Sequence, residues 1–310
     1  MSINIEENKN LAELTTIEIG GISKYFVKVE KSADLVEVIK YCKDNSIKYY
    51  ILGGGSNVLF IGDRFDGMVI NISIKDLVVD GDQITCGAGC VLDDVVLNSV
   101  EAGLSGLEWA TLIPGTSGGA IYGNAGAYGG SISDNLEMVE VYDDGEVKRW
   151  TKEDCDLGYR KSIFKTGGSK AIILSAIFKL EPTSKTELAS KRNEIKSTRD
   201  KKFGDIKSAG SVFKGIKLGS EGVKEFQIRF PELPDEFIEF DEIPAGWLID
   251  QCGLKGHKIG GAQIYDKHAG IIINIGGATA ENVLELIKFA KEKVKQKFNL
   301  LLEEEIEIIN

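Results

Sequence analysis

Residues 113–130 read IPGTSGGAIYGNAGAYGG, and this stretch decides how the rest of the chain is interpreted. It holds seven glycines, Thr116, Ser117, Asn124 and three alanines, and shows no helical or strand periodicity. Glycine lets the backbone turn with positive φ and approach a ligand closely. Ordering a long irregular segment costs conformational entropy, so such a segment is usually either functional or disordered. The flanks of this one are apolar, as in ordered structure, which favours a functional loop. Backbone N–H groups and small hydroxyls suit a phosphate or pyrophosphate. The alternative is a loop that serves tight packing only.

The length and charge of the chain exclude several classes of protein. A chain of 310 residues that is 43% hydrophobic has room for two or three domains with sizeable cores. A net charge of −11 without a basic stripe argues against nucleic-acid binding. The N-terminal MSINIEENKN is not a signal peptide, and no apolar run is long enough to span a bilayer. We therefore expect a cytoplasmic protein without membrane association.

The five cysteines are scattered and odd in number, which is typical of reduced thiols rather than a disulfide framework. Cys86 and Cys90 have no second pair and no nearby histidine, so no metal site is expected.

Hydrophobic patterning predicts strands and helices mixed in both halves of the chain. Residues 1–14 are polar and are interpreted as a lead-in, and the charged residues 184–202 as a linker. The predicted helices lie over 32–42 with Ser32 as N-cap, over 92–100 ending at Gly103, and over 280–294 with Thr279 as N-cap. The predicted strands are 49–52, 67–72, 83–86, 138–142, 171–180, 270–275 and 301–309, with a hairpin turn at 143–145.

A second glycine turn, Gly53-Gly54-Gly55-Ser56-Asn57, follows the predicted strand 49–52. The dinucleotide fingerprint G-x-G-x-x-G fails here because Val58 occupies the sixth position and no helix follows. The turn is therefore predicted to line the same ligand as residues 113–130.

The segment Gly115–Gly119 matches G-x-S-x-G, the nucleophile elbow of serine hydrolases, with His257 and His268 later in the chain. An elbow needs a strand before it and a helix after it, whereas Pro114 precedes this segment and a glycine-rich loop follows. A hydrolase centred on Ser117 is disfavoured, and no P-loop is present.

Three further segments carry polar groups suited to chemistry. Arg160 is a residue type that holds carboxylates in bidentate fashion, and Ser211 in SAGS offers a hydroxyl that transfers a proton when polarised. In a strand Glu303 and Glu305 share one side, so one carboxyl can enter a cleft. Each of these alone is more often structural.

In order along the chain, these motifs resemble the UDP-N-acetylenolpyruvoylglucosamine reductase family, in its shorter subclass without the extra tyrosine loop. The matching motifs are TTIEIGG (15–21), LGGGSN (52–57), GLEWATLIPGTSGGAIYGNAGAYGG (106–130), YRKSIF (159–164), SAGSVFK (208–214), AGWLIDQCGLKG (245–256) and LEEE (302–305). The resemblance implies an α+β fold. After a lead-in at 1–20, a vanillyl-alcohol-oxidase-type FAD-binding domain occupies 21–183, with subdomains at about 21–75 and 76–183. A C-terminal substrate-binding domain occupies 184–310, and its last strand returns to the active site.

The resemblance implies FAD as cofactor, NADPH as co-substrate, a UDP-sugar substrate and a monomer or weak dimer. Covalent attachment of FAD through an N-terminal histidine is excluded because the first histidine is His257. Tyr159, Lys214 and Gln263 are the implied substrate-binding residues. The implied cofactor-binding residues are Gly53, Gly54, Gly55, Ser56, Asn57, Pro114, Gly115, Thr116, Ser117, Gly119, Ala120, Asn124, Gly126 and Ala127.

The implied reaction is a step of peptidoglycan precursor synthesis. Hydride passes from NADPH by way of FAD to C3 of the enolpyruvyl group. Arg160 and Glu305 stabilise the charge that develops at C2 and on the carboxylate, and Ser211 gives the proton to C2.

The chain also departs from the family pattern. Gly215-Ile216 replaces the usual Asn-Pro, Tyr265 a serine, Glu304 a proline and Glu307 an arginine. Two alternatives therefore stay open: a flavin oxidoreductase of the same fold acting on another substrate, and a nucleotide-sugar binding module without catalysis.

Overall fold

A computed structural model of the chain describes residues 4–310, which form two compact units. The first unit contains residues 4–10, Ile22–Ser56 and Arg64–Gly204. The second contains Leu11–Gly21, Asn57–Asp63 and Asp205–Asn310. This division does not coincide with the expected boundaries at residues 20 and 183, because Leu11–Gly21 and Asn57–Asp63 belong with the C-terminal residues and 184–204 belongs with the first unit.

Both units mix strands and helices. The helices are α1 Ser32–Asp44, α2 Leu92–Ala102, α3 Ser117–Tyr122, α4 Ile132–Asn135, α5 Lys185–Lys202, α6 Gly219–Arg229, α7 Glu236–Glu239, α8 Ala245–Gln251 and α9 Ala280–Phe298, with short 3₁₀ turns at Leu11–Leu14, Glu108–Ala110 and Glu153–Cys155. The strands are β1 Ile5–Asn10, β2 Ile22–Val29, β3 Tyr49–Leu52, β4 Val58–Phe60, β5 Arg64–Ile72, β6 Leu77–Asp80, β7 Gln83–Gly87, β8 Leu104–Ser105, β9 Gly126–Ala127, β10 Gly130–Ser131, β11 Leu136–Asp143, β12 Glu146–Thr151, β13 Ile172–Lys179, β14 Glu181–Pro182, β15 Ser208–Ser211, β16 Ile216–Lys217, β17 Glu242–Ile243, β18 Lys258–Ile259, β19 Ala262–Ile264, β20 Ile271–Asn274 and β21 Glu307–Ile309.

The first unit is built on two sheets. In the sheet β1-β2-β5-β3, β2 and β3 lie on either side of β5 and run parallel to it, and α1 makes the crossover connection between β2 and β3. The sheet β12-β11-β13-β7-β6 is antiparallel throughout. One continuous apolar core joins them, and it includes the expected α1 face of Leu35, Val38, Ile39 and Cys42.

The second unit is built on the antiparallel sheet β15-β20-β19-β18, against which α9 packs. The last strand, β21, runs parallel to the short strand β4. The apolar core of this unit includes Leu59 of β4 and the α9 stripe Val283, Ile287, Ala290 and Val294.

Local turn and cap chemistry confirms several sequence predictions. Gly103 ends α2 with a φ of 76°, a conformation that glycine adopts without strain. Asp144 and Gly145, with φ values of 50° and 94°, form the two-residue turn between β11 and β12. Thr279 caps α9, since its hydroxyl accepts from the N–H of Asn282.

Four local predictions are wrong. Residues 5–10 of the expected lead-in form β1. This edge strand needs little apolar surface because it pairs with one neighbouring strand only. Residues 1–3 of the lead-in lie outside the described residues. The expected linker is α5, whose only buried residue is Leu188. Lys31, not Ser32, occupies the N-cap of α1, and no side-chain hydrogen bond caps that helix. Of the expected strand 301–309, only Glu307–Ile309 is regular.

Within residues 4–310, no helix is both long enough and apolar enough to cross a membrane. All five cysteines are free thiols, four of them buried.

Candidate functional site

The two glycine turns predicted to share a ligand meet in the first unit. The Ser56 hydroxyl donates to the Pro114 carbonyl at 3.0 Å. A Cβ on Gly53 would stand 2.7 Å from Thr116 Oγ1, and one on Gly54 would stand 2.8 Å from the Gly115 Cα. Because backbone and side chain approach this closely, glycine is required at both positions.

This junction leaves several backbone donors uncommitted. In the part of the chain that the structure describes, the N–H groups of Gly53, Gly54 and Gly115 donate to no protein acceptor. Gly115 has a φ of 118° and Gly55 a φ of 65°, so both need the conformational freedom of glycine. Converging backbone N–H groups without side chains fit the pyrophosphate of the expected FAD.

The glycine-rich stretch is more regular than predicted, because α3 and β9 lie within it and β10 begins at its last residue, Gly130. Thr116 is the N-cap of α3, and its Oγ1 accepts from the Gly119 N–H at 3.3 Å. Ala120 follows in the same helix. The Ser117 hydroxyl is fully buried and donates to the Gly87 carbonyl at 2.7 Å. This hydroxyl is committed to the fold, which excludes Ser117 as an exposed nucleophile.

Buried groups brace the far end of the stretch. A Cβ on Gly130 would stand 2.4 Å from Trp109 Cδ1, so the backbone lies directly against the indole. The carboxylate of Glu108, which is 1% exposed, accepts from the Ser105 hydroxyl at 2.8 Å and the Gly106 N–H at 2.7 Å. Burial alone would raise the pKa of Glu108, but these hydrogen bonds and the charge of Lys191 hold it below its usual value.

Helix α5 supports the start of the stretch, a role that the sequence did not indicate. Arg192 donates to the Asp93 carboxylate at 2.7 Å, and the other oxygen of Asp93 accepts from the Leu112 N–H at 2.7 Å. Because these contacts are polar, the sequence of α5 has no apolar stripe. Hydrophobic patterning therefore does not distinguish this helix from a linker.

Arg160 lies at the tip of a tight turn in the first unit. Gly158 and Lys161 exchange both backbone hydrogen bonds, at 3.0 and 3.1 Å, which leaves Tyr159 and Arg160 as the corner residues. The guanidinium of Arg160 lies 5.6 Å from the Tyr159 ring centroid and donates to the Gly126 carbonyl at 2.8 Å. Gly126 and Ala127 form β9, so this contact joins Arg160 to the glycine-rich stretch.

Asn124, expected to bind cofactor, uses its side-chain amide within the protein. Its Nδ2 donates to the Gly158 carbonyl at 2.7 Å, and its Oδ1 accepts from the Ser133 N–H at 3.0 Å.

In the second unit, the backbone brings Glu305 next to the SAGS segment. The Glu305 N–H donates to the Val212 carbonyl at 2.8 Å, and the Lys214 N–H donates to the Glu303 carbonyl at 3.0 Å. Segment 303–305 therefore runs antiparallel beside segment 212–214, immediately after the exposed Ser211.

Side chains on both flanks hold this pairing. Lys214 forms an ion pair with Glu303. Lys291 of α9 donates to both carboxylate oxygens of Glu304, at 2.8 and 2.9 Å. Asn57, expected to bind cofactor, donates to the Glu305 carbonyl at 3.2 Å and accepts from the Glu307 N–H at 2.9 Å. Its neighbours in sequence gave no sign of this anchoring role.

Gln263 lies on the same sheet as Ser211, two strands away, and is 6% exposed. Its amide donates to the Asp266 carboxylate at 2.9 Å. At Gly215, where the sequence departs from the family pattern, the structure leaves no room for a side chain, because a Cβ there would collide with the Glu242 carboxylate. Tyr265, the second departure, is almost fully buried.

Comparison with known proteins matches both parts of the chain. Residues 201–309 match the family described as UDP-N-acetylenolpyruvoylglucosamine reductase, C-terminal domain, and residues 23–151 match the family described as FAD binding domain. The α+β fold with an FAD-binding domain and a distinct C-terminal domain is thereby confirmed.

Several relatives share almost the whole chain. The UDP-N-acetylenolpyruvoylglucosamine reductase of Caldicellulosiruptor bescii is 39% identical over 96% of this chain and 88% of its own length. That of Fervidobacterium nodosum is 37% identical over 97% and 90%. The crystal structure of the Thermus caldophilus reductase covers 100% of both chains with a TM-score of 0.76 and 31% identity. The chain belongs to the UDP-N-acetylenolpyruvoylglucosamine reductase family.

Proposed function

We propose that this chain reduces UDP-N-acetylglucosamine enolpyruvate to UDP-N-acetylmuramate with NADPH, using noncovalently bound FAD. This is the reductive step of peptidoglycan precursor synthesis. The proposal is carried by the hydrogen bond from the Glu305 N–H to the Val212 carbonyl, which aligns the acidic terminal segment beside the SAGS hydroxyl.

The first unit has the groups to hold FAD. The N–H groups of Gly53, Gly54 and Gly115 would bind its pyrophosphate, with the Ser56–Pro114 contact fixing the two turns against each other. Bound FAD supplies a two-electron carrier that accepts hydride from NADPH and passes it to the substrate.

Three side chains have separate tasks. The guanidinium of Arg160 is permanently cationic and binds the substrate carboxylate, which stabilises the charge that hydride addition places there. Glu305 acts together with Arg160 to stabilise the charge that develops at C2 and on the substrate carboxylate. Ser211 is exposed and donates its hydroxyl proton to C2.

The remaining polar residues bind the substrate. Lys214 provides a cation suited to the UDP phosphates, and its ion pair with Glu303 keeps the ammonium oriented. Gln263 presents an amide whose orientation is fixed by Asp266, and Tyr159 is 42% exposed and offers an aromatic face.

The chemistry of the reactants places this reaction in the cytoplasm, where NADPH and nucleotide sugars are found together. The free thiols fit that reducing compartment. We propose a monomer or weak dimer as the working form.

Gly215 supports one alternative, a flavin oxidoreductase of this fold that acts on a different substrate. The Glu242 carboxylate fills the space that a side chain at position 215 would occupy. An acidic group there would repel a substrate phosphate. This repulsion is the observation that favours a different substrate as the acceptor of hydride.

The test is incubation of the purified FAD-loaded protein with NADPH and UDP-N-acetylglucosamine enolpyruvate, followed by mass spectrometry. We expect a product that has gained two hydrogen atoms. NADPH oxidation that yields no such product would overturn the assigned substrate, and a protein that cannot be loaded with FAD would overturn the assignment to flavin chemistry.

A further inference from the structure

The turn that carries Arg160 is tied to the glycine-rich stretch at three alternate positions. Gly158 is bonded to Asn124, Arg160 to Gly126, and Ser162 to Tyr122, with donor–acceptor distances of 2.7, 2.8 and 2.6 Å. The partners follow no strand register in the glycine-rich stretch, but along the turn Arg160 is the middle of the three ties. The outer two ties involve no group that the proposed reaction uses.

The first outer tie is a buried amide. Asn124 is 5% exposed, and its Nδ2 and Oδ1 hold Gly158 and Ser133 at the same time. The Gly158 carbonyl also accepts the turn-closing bond from the Lys161 N–H, so both of its lone pairs are used. Asn124 has a φ of 41°, a conformation that asparagine tolerates better than most residues.

The second outer tie is a buried hydroxyl. Ser162 is 0% exposed and donates to the Tyr122 carbonyl at the end of α3. The Ser162 hydroxyl oxygen also accepts from the Lys165 N–H at 3.1 Å, so the hydroxyl fixes the chain on the far side of Arg160.

Arg160 itself needs such support. Its φ of 51° is unusual for a residue with a long side chain and persists only when the surroundings enforce it. The Gly126 carbonyl directs one edge of the guanidinium. A long side chain with several rotatable bonds otherwise samples many orientations.

We propose that Asn124 and Ser162 are positioning residues, which fix the turn so that the Arg160 guanidinium is pre-organised for the substrate carboxylate. This inference rests on the role of Arg160 in the proposed function. Misplacing a charge by about 1 Å can cost about a hundredfold in rate, so loss of either tie slows the step in which substrate is reduced.

The experiment measures the two half-reactions separately by stopped-flow absorbance of FAD: its reduction by NADPH and its reoxidation by the enolpyruvyl substrate. Asn124→Gly removes the amide while suiting the positive φ. Asn124→Asp replaces the donor to Gly158 by a carboxylate oxygen, which can only accept when ionised, and Ser162→Ala removes the second tie. We expect each to slow reoxidation about tenfold or more and to leave the reduction rate within about twofold.

A double-mutant cycle with Arg160→Ala separates positioning from general loosening. In the Arg160→Ala background, Asn124→Gly and Ser162→Ala should change reoxidation less than about threefold, since the group they position is gone. Ser133→Ala is the matched control, because it keeps the backbone N–H bonded to Asn124 and removes only the long 3.5 Å contact from the Asn124 amide to the Ser133 hydroxyl. It should reoxidise within about twofold of the parent.

Equal losses in both backgrounds would contradict the inference, as would a parental reoxidation rate in the variants. Loss of FAD from both Asn124 variants and from Ser162→Ala would assign these residues to folding alone. If Arg160→Ala itself reoxidises at the parental rate, the role of Arg160 in the proposed function fails, which is a distinct result.

Discussion

The glycine junction of the first unit differs in construction from the pairing of segment 303–305 with segment 212–214, next to Ser211, in the second unit. The junction consists of backbone from two short turns, each of them contiguous in sequence, and its key positions are glycines without side chains. The pairing aligns side chains from segments far apart in sequence, and Ser211 and Glu303 there are exposed. The first is therefore sensitive to added volume and the second to lost functional groups.

The sharpest test of this contrast is Ser211→Ala, which removes one exposed hydroxyl and adds no volume. We expect reoxidation of FAD by substrate to slow about 10²–10⁴-fold, because the proton donor is lost, while reduction by NADPH is unchanged. Stopped-flow absorbance of the two half-reactions measures both.

The matched control is Ser208→Ala in the same SAGS segment, whose hydroxyl accepts only a weak 3.4 Å bond from the Gly210 N–H. It should reoxidise at nearly the parental rate. Equal losses in the two variants would show that the segment matters as structure and not through one hydroxyl.

Gly54→Ala tests the junction from the opposite side. The new Cβ would lie 2.8 Å from the Gly115 Cα, where carbon atoms need about 3.5–4.0 Å, so the two turns must separate. Overpacking of this kind costs about 1–3 kcal/mol, and we expect FAD affinity to fall about tenfold in a fluorescence titration.

Gly123→Ala is its control, because position 123 has a φ of −89° and its nearest neighbour lies 3.7 Å from a new Cβ. This variant should bind FAD as the parent does. Parental affinity in Gly54→Ala would remove the junction from the cofactor site.

These two regions also show which features can be predicted from the sequence alone and which cannot. Glycine turns are predictable because the reason for glycine is local, as at Gly103 and at the Asp144–Gly145 turn. The pairing of Glu305 with Val212 was not predictable, since it depends on a register between distant segments and not on alternation in a regular strand.

Two of the errors in the fold, at β1 and α5, have a common physical cause, which is burial or pairing without apolar side chains. Strand β1 is a polar edge strand, and α5 is held through the Arg192–Asp93 ion pair rather than through an apolar stripe. The resemblance implies Asn124 as a cofactor-binding residue, whereas its hydrogen bond to Gly158 is a feature of the fold. Its partner Gly158 lies on another segment, which no local pattern reveals.

Glu108→Gln tests whether the glycine-rich stretch depends on a buried charge. Loss of the charge-assisted hydrogen bonds should lower the free energy of unfolding at neutral pH by about 1–3 kcal/mol. Because the pKa of Glu108 is lower in the folded chain than its ordinary value of 4.5, this contribution is complete above that value and disappears as pH falls through the folded pKa.

Urea unfolding of parent and variant between neutral and acidic pH measures the difference. The two curves should converge at low pH. A difference that stays constant into the acid range would mean that the Glu108 charge contributes nothing and that its shape alone matters.

The smallest effect is expected for Glu304→Gln, which weakens the ion pair with Lys291. The Lys291 and Glu304 side chains are 37% and 29% exposed, and such pairs contribute at most about 1 kcal/mol. Unfolding should shift within that range and reoxidation by less than about threefold. A tenfold slower reoxidation would show that this ion pair positions Glu305.

Anaerobic stopped-flow on the purified protein tests the central claim most directly. NADPH is added first and UDP-N-acetylglucosamine enolpyruvate second, while flavin absorbance is followed. The account predicts bleaching by NADPH and rapid return of colour with the second compound in the parent, and bleaching with slow return in Ser211→Ala. Bleaching without return in the parent would contradict the assigned substrate, and equal return in parent and variant would contradict the role of Ser211 beside the pairing of segments 303–305 and 212–214.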